Sequence, residues 1–156
     1  MKNYLKIILM IFGALVLLLL LSTFIWPPIN DVKTGSTPEY PDIQPIVFKS
    51  DPITTFWTAA RTAKTMPLWL LTSVQQKDLT IRAEARTPTL GFVDLVEIKI
   101  VELKQGVQVQ MRSRSQVGRS DFGVNALRIE TYLKRLKTKM EIIAMHKRQN
   151  ETDLHE

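Results

Sequence analysis

Seven polar residues in two short segments are the candidates for a chemical site. The first segment runs from Arg86 to Asp94 and the second from Arg112 to Asn125. Guanidinium groups that converge near a glycine-containing turn and a helix N-terminus would suit a phosphate, a carboxylate or a lipid headgroup. This predicted anion or partner site consists of Arg86, Asp94, Arg112, Arg114, Arg119, Asp121 and Asn125.

The same residues also have a purely structural interpretation, which we favour because structural ion pairs outnumber catalytic ones. Asp94 would pair with an arginine of the neighbouring strand and hold the register. Asp121 and Asn125 would hydrogen-bond turn amides and cap the helix that follows. Three turn glycines, which permit positive φ angles, are Gly91, Gly118 and Gly123.

A catalytic interpretation finds less support in the chain. His146 and His155 both lie far along the sequence from the polar segments, and no Ser-His-Asp order, His-x-x-x-His pair or phosphate-binding loop occurs. Asp94 and Asp121 remain as a conceivable acid–base pair. The absence of cysteine excludes disulfides, thiolate metal sites and a cysteine nucleophile. We therefore expect no enzyme activity, no cofactor and no metal.

The two segments also carry a family likeness. They read RTPTLGFVD and RSRSQVGRSDFGVN. Together they resemble the domain of unknown function 1499 family of bacterial and plastid proteins, whose pattern is R-T-x3-G-F-x-D followed by R-S-x-S-x-V-G-x-x-D-x-G-x-N. The resemblance extends from Tyr40 to Lys137. Many members carry a second acid where Leu95 stands, and a cysteine-containing opening segment that this chain lacks. The resemblance implies no established reaction.

An apolar segment from Ile7 to Trp26 contains twenty residues without a charge. A helix of that length spans about 30 Å, the thickness of the hydrocarbon core of a bilayer. The sequence therefore predicts a transmembrane signal-anchor over residues 1–26 that contacts the lipid bilayer. A cleaved signal peptide is the alternative, since Lys2 and Lys6 precede the run. The run exceeds the usual length of about 7–15 residues, and no small-x-small cleavage site follows it.

The distribution of charge predicts orientation and partners. Lys2 and Lys6 precede the apolar segment, and the nearest cation after it is Lys33. Positive charge tends to remain cytoplasmic, so we expect an inner-membrane protein with a cytoplasmic N-terminus and a periplasmic domain. The net charge of +6 is too small to argue for nucleic acid. We expect a membrane or envelope protein partner, and we keep lipid or small-anion binding as the alternative function.

The rest of the chain reads as a small α+β domain. Residues 27–45 are rich in proline and predict a linker that holds the domain clear of the membrane. Residues 46–145 predict the order β-α-β-β-β-β-α, because polar and apolar residues alternate in several short segments. We expect an antiparallel sheet with both helices on one face and a second face that is polar or covered by a partner. Residues 146–156 predict a polar tail.

Apolar spacing predicts the core residues of the two helices. Phe56 and Trp57 on the first helix and Trp69 on the next strand are predicted to be buried. The last helix, with Asn125 as its cap, presents a stripe at helical spacing. The stripe consists of Leu127, Tyr132, Leu133, Leu136, Met140 and Ile143.

Overall fold

Three helices and six strands form the part of the chain that the computed structural model describes, residues 2–88 and 91–153. In chain order they are α1 (Lys2–Ile25), β1 (Asp31–Lys33), β2 (Ile46–Phe48), α2 (Pro52–Lys64), β3 (Trp69–Gln75), β4 (Thr80–Arg86), β5 (Val93–Glu102), β6 (Val107–Ser115) and α3 (Val124–Asp153).

The strands form one antiparallel six-stranded sheet in the order β1-β6-β5-β4-β3. β2 lies beyond β1 on the same edge of β6, because β1 pairs with Arg112 to Arg114 and β2 pairs with Val107 to Val109. Short connections between β3, β4, β5 and β6 make these strands an antiparallel meander. The predicted α+β class is confirmed, with one strand, β1, more than the sequence indicated.

Alternation along each strand separates a buried inner face from an exposed outer face. In β5, Val96, Ile98 and Ile100 are buried, whereas Glu97 and Lys99 point to the other side. α2 packs on β3, β4 and β5, and α3 packs on β1, β2 and β6. Both helices therefore cover the inner face, as predicted. None of the described helices packs on the outer face.

The core between helices and sheet centres on Tyr132 of α3. Its ring is fully buried and stacks on Trp69 with centroids 5.5 Å apart, and its hydroxyl donates to the carbonyl of Ala59 at 2.9 Å. Phe56 is buried as predicted, but the prediction for Trp57 is wrong, since 41% of that residue is exposed. One helical step of about 100° turns Trp57 away from the face that Phe56 occupies.

The interpretation of residues 27–45 as a linker is wrong. β1 lies within this stretch, and Val32 and Ile43 belong to the hydrophobic core. The amide of Asp121 already donates to the carbonyl of Ile29 at 3.1 Å. A three-residue strand is too short for alternation to reveal, and its partner β6 lies some eighty residues along the chain. The domain therefore begins almost directly after α1.

The last helix also differs from its prediction. α3 continues to Asp153, well beyond Met145, because the polar residues after Met145 include several good helix formers and no proline or glycine. Residues 154–156 of the predicted tail lie outside the described part of the chain. Leu127 is 63% exposed and Ile143 is 38% exposed, so neither belongs to the buried stripe.

α1 is the one helix among the described residues that is long and apolar enough to cross a membrane. Its segment Asn3–Leu21 has a mean hydropathy of 2.7, and none of it is buried against the rest of the chain. Length and composition of this kind fit a membrane anchor or a signal sequence.

Gly123 makes a close approach between the segment after α1 and the start of α3. Its φ is +78°, and a Cβ there would come within 2.5 Å of Cδ1 of Trp26. We expect Gly123→Ala to lower the free energy of unfolding by at least about 1–2 kcal/mol, the usual cost of the left-handed conformation for an L-residue. Thermal unfolding of the full chain in detergent measures this cost.

A Trp26→Ala background serves as the control for Gly123→Ala. Removal of the indole should relieve the steric part of the cost and leave the backbone part. An unchanged melting temperature for Gly123→Ala in the parent chain would contradict the described contact.

Candidate functional site

The seven predicted site residues do not converge, because the sheet separates them. Asp94, Asp121 and Asn125 are buried on the helix side. Arg86, Arg112 and Arg114 are exposed at outward positions of β4 and β6, and Arg119 is exposed in the loop that joins β6 to α3. Neighbouring positions on a strand point to opposite faces, so the arginines of β6 cannot join Asp94.

A buried network connects the sheet to α3 through Arg128. Its Nη2 donates to Oδ2 of Asp94 at 2.6 Å. Its Nη1 donates to Oγ of Ser113 at 2.9 Å and to Oδ1 of Asn125 at 2.5 Å. The Ser113 hydroxyl donates in turn to the same Asn125 oxygen at 2.6 Å. Arg128 is 9% exposed and Asp94 is 1% exposed, so this is an almost fully desolvated ion pair with hydrogen-bonded neighbours.

The network continues to the chain that precedes β1. Nδ2 of Asn125 donates to the carbonyl of Asn30 at 3.0 Å and to Oγ of Ser115 at 3.1 Å. Asp121 accepts hydrogen bonds from the amides of Gly123 at 2.9 Å and of Asn125 at 2.8 Å. Asp121 thereby satisfies donors at the start of α3 that have no partner within the helix.

The structural interpretation of these residues matches the structure in part. The helix-capping role predicted for Asp121 and the positive φ angles of Gly91, Gly118 and Gly123 match the structure. Asn125 is not the cap, because it lies inside the first turn of α3 and directs its side chain into the network. The partner of Asp94 is Arg128 of α3 and not an arginine of a neighbouring strand.

Sequence reasoning missed Arg128 and Ser113. A signal for each was present in the spacing. Arg128 stands three residues after Asn125 and four before Tyr132, on the inward side of α3. Ser113 follows the inward positions of Val109 and Met111 in the alternation of β6. A charged residue at an inward helical position predicts a buried partner of opposite charge.

The chemistry available to this network is limited by its partners. Ser113 Oγ is hydrogen-bonded to Asn125 and Arg128, neither of which is a general base. Among residues 2–88 and 91–153, no three His, Cys, Asp or Glu side chains are placed to hold a metal ion. The network links β5, β6, α3 and the residue before β1 through hydrogen bonds and one ion pair. This geometry suits stabilisation of the folded domain.

The outer face of the sheet, which we call the open face, carries the exposed arginines. Arg82, Arg112 and Arg114 line a shallow depression of about 250 Å³ together with Leu95 and Glu97. Arg82 Nε pairs with Glu97 at 2.9 Å, and Arg112 Nε donates to Asp31 at 2.9 Å. Arg114 forms no ion pair with any residue that the structure describes.

Charge on the open face is predominantly positive. The strand register places six cations and three acids there, which gives a net charge of +3. Val47 and Leu70 add exposed apolar side chains to the same face. The cations are Lys33, Arg82, Arg86, Lys99, Arg112 and Arg114, and the acids are Asp31, Glu84 and Glu97.

Stability at acidic pH should depend on Asp31. The hydrogen bond from Arg112 holds the pKa of the Asp31 carboxyl below its ordinary value. A group with a lowered folded-state pKa contributes stability above its unfolded pKa of about 3.9 and loses that contribution as pH falls through the folded value. We expect Asp31→Asn to flatten the acid side of the stability curve and to cost under about 1 kcal/mol at pH 7, since the pair is exposed.

Urea unfolding between pH 7 and pH 2 measures the effect of Asp31→Asn. Asp42→Asn removes an exposed carboxylate that forms no described ion pair and is the matched control. Equal slopes for the two variants would contradict the assignment to Asp31.

Fold and site together define a small α+β domain that follows an apolar N-terminal helix. The model of the family described as Protein of unknown function (DUF1499) matches residues 25–136, and the chain belongs to this family. The match starts at Ile25 and so includes the segment with β1, in agreement with its place in the sheet. No curated protein and no solved structure matches the chain.

Proposed function

We propose that this DUF1499 protein is a single-pass membrane protein whose domain is a non-enzymatic interaction module, an accessory subunit of an envelope complex. α1 serves as the anchor in the inner membrane, with its N-terminus in the cytoplasm and the domain in the periplasm. Two observations support this arrangement: Asn3–Leu21 of α1 is apolar and not buried against the rest of the chain, and Lys2 and Lys6 precede the uncharged segment that starts at Ile7.

The open face is the observation that carries the proposal. An antiparallel sheet with one solvated face needs only polar side chains on that face. Here Leu70 is 64% exposed and Val47 is 54% exposed, beside a net charge of +3. Apolar side chains within a cationic surface suit a protein partner with an acidic surface and apolar contacts at its centre. The motif residues Asp94, Ser113, Asp121 and Asn125 are meanwhile occupied in the buried network.

Site-specific photo-crosslinking of the full chain in its native membrane tests the proposal. A photoreactive residue in place of Leu70 should yield one discrete adduct with a second protein. The same residue in place of Lys104, an exposed position in the turn between β5 and β6, is the control and should yield none. No adduct at either position, the same adducts at both, or an adduct only with a second copy of this chain would refute the proposal.

A second candidate function is binding of a small anion in the depression on the open face. Arg114 supports it, because this guanidinium lines the depression and forms no described ion pair. Calorimetric titration with inorganic phosphate should then give a binding signal that Arg114→Ala abolishes. No signal with the parent chain would dispose of this function.

A further inference from the structure

One end of the sheet lies next to the outer end of α1. Only residues 26–28 separate Ile25, the last residue of α1, from Ile29, whose carbonyl accepts from Asp121. Nδ2 of Asn30 donates to the carbonyl of Gly118, and the backbone amide of Ser115 donates to the carbonyl of Asn30 at 2.8 Å. At about 3.3–3.6 Å per residue, the four steps from Ile25 to Ile29 reach at most roughly 14 Å. The loop between β6 and α3 is thus held close to the end of the predicted anchor.

The segment after α1, the β4–β5 loop and the β6–α3 loop share this end of the sheet with the start of α3. Asp94 at the start of β5 pairs with Ser115 at the end of β6, so the described residues of the β4–β5 loop lie beside the β6–α3 loop. Both loops therefore lie on the side from which α1 leaves the domain. The β3–β4 and β5–β6 turns lie at the opposite end.

Large apolar side chains protrude from this end. Val117 is 66% exposed, Leu127 63%, Phe122 56% and Phe92 49%. Phe122 also has a φ of +53°, a conformation that costs an L-residue about 1–2 kcal/mol. More than half of the Phe122 residue nevertheless stays exposed. Four such side chains in two adjacent loops and one helical turn form more exposed apolar surface than a solvated loop needs.

Positive charge accompanies the apolar side chains. Arg119 is exposed within the β6–α3 loop, and Arg86 is exposed at the end of β4. The nearby carboxylates of Asp94 and Asp121 point inward, where each is hydrogen-bonded. Exposed aromatic and aliphatic side chains with arginines between them are typical of surfaces that rest at the headgroup region of an anionic bilayer.

We propose that this end of the domain, the membrane-proximal surface, contacts the bilayer into which α1 inserts. The surface consists of Phe92, Val117, Phe122 and Leu127 with Arg86 and Arg119. The apolar side chains enter the interface, and the guanidinium groups bind anionic phospholipid headgroups. The inference rests on the anchoring role of α1 in the proposed function and adds a second, independent contact with lipid. This contact fixes the tilt of the domain and turns the open face sideways, toward a partner in the same membrane.

The absence of cysteine permits a clean test with single spin labels. The full chain is reconstituted in nanodiscs of phosphatidylethanolamine and phosphatidylglycerol. Labels are placed by Val117→Cys, by Phe12→Cys in α1 as the anchor marker, and by Lys104→Cys at the opposite end as the control. We expect the labels at 12 and 117 to collide with oxygen more than with a water-soluble nickel chelate, and the label at 104 to show the reverse.

Outcomes for the anchor and for the membrane-proximal surface are distinguishable. If the label at 12 lies in lipid and the label at 117 lies in water, the membrane-proximal surface is refuted, whereas the anchoring role of α1 is retained. A label at 12 in water overturns both. Arg119→Glu should move the label at 117 toward water in anionic nanodiscs, and an unchanged label there would refute the role of Arg119. In nanodiscs of phosphatidylcholine alone, the label at 117 should lie closer to water even when Arg119 is unchanged.

Discussion

Arg128→Met should lower the free energy of unfolding by about 3–5 kcal/mol, because it leaves the Asp94 carboxylate buried without its counter-charge. The Nη2 to Oδ2 distance is 2.6 Å and Asp94 is 1% exposed, so water cannot replace the guanidinium without opening the core. Methionine retains much of the aliphatic length of arginine, so most of the effect comes from lost charge. Urea unfolding of the full chain in detergent micelles, followed by tryptophan fluorescence, measures it.

Two controls make the result of Arg128→Met interpretable. Arg82→Met breaks the exposed pair with Glu97 and should cost no more than about 1 kcal/mol. Asp94→Asn combined with Arg128→Met removes both charges, so the double variant should be less destabilised than the sum of the single variants. Equal costs for Arg128→Met and Arg82→Met would show that the buried ion pair contributes no more to stability than the exposed ion pair.

Tyr132→Ala should cost about 3–5 kcal/mol, the range for removal of a large buried aromatic side chain. Tyr132 is fully buried and contacts both the sheet, through Trp69, and α2, through the Ala59 carbonyl. Its loss would leave a cavity where these layers meet. The same urea titration measures the cost.

Tyr132→Phe separates the ring from the hydroxyl. It keeps the stacking on Trp69 and loses only the 2.9 Å hydrogen bond, so it should cost about 0.5–1.5 kcal/mol. If Tyr132→Phe proved as costly as Tyr132→Ala, burial of the ring would not be the main contribution of this residue.

The sequence was sufficient to predict the strands in which polar and apolar residues alternate over many positions. β5 and β6 alternate over 10 and 9 residues, and they pair in the antiparallel sheet that the alternation predicted. β1 could not be found in this way, since a three-residue strand has no measurable period and its place depends on pairing with β6. Residues 27–45 were therefore wrongly predicted to be a linker because the pairing of β1 with β6 is a contact between distant parts of the sequence.

The predicted convergence of the site failed for a reason that the sequence itself contains. Arg112 and Arg114 alternate with the inward positions of Met111 and Ser113, so they must face away from the helices. Asp94 shares its face with the inward position of Val96. Alternation alone separates the arginines from Asp94. The identity of the true partner, Arg128, required the packing of α3 on the sheet.

The family motif acquires a physical explanation from these contacts. Ser113 and Asn125 join β6 to α3, Asp121 caps that helix, and Gly123 admits the indole of Trp26. The Ser, Asp and Asn positions of the motif thus lie at the joint between the sheet and α3, whereas its arginines Arg86 and Arg112 are exposed on the outer face. In our proposals, contacts with other molecules are made by the open face and by the membrane-proximal surface.

Charge reversal on the open face tests the central claim of an exterior, non-enzymatic role. The measurement is the yield of the photo-crosslinked adduct through position 70 in the native membrane. Lys99→Glu with Arg114→Glu should abolish the adduct and lower the free energy of unfolding by no more than about 1 kcal/mol, because Arg114 attracts the partly exposed Asp31 carboxylate without forming an ion pair. Arg135→Glu with Lys137→Glu, an equal charge change at exposed positions of α3, should retain it. Equal yields from the two double variants would contradict the account.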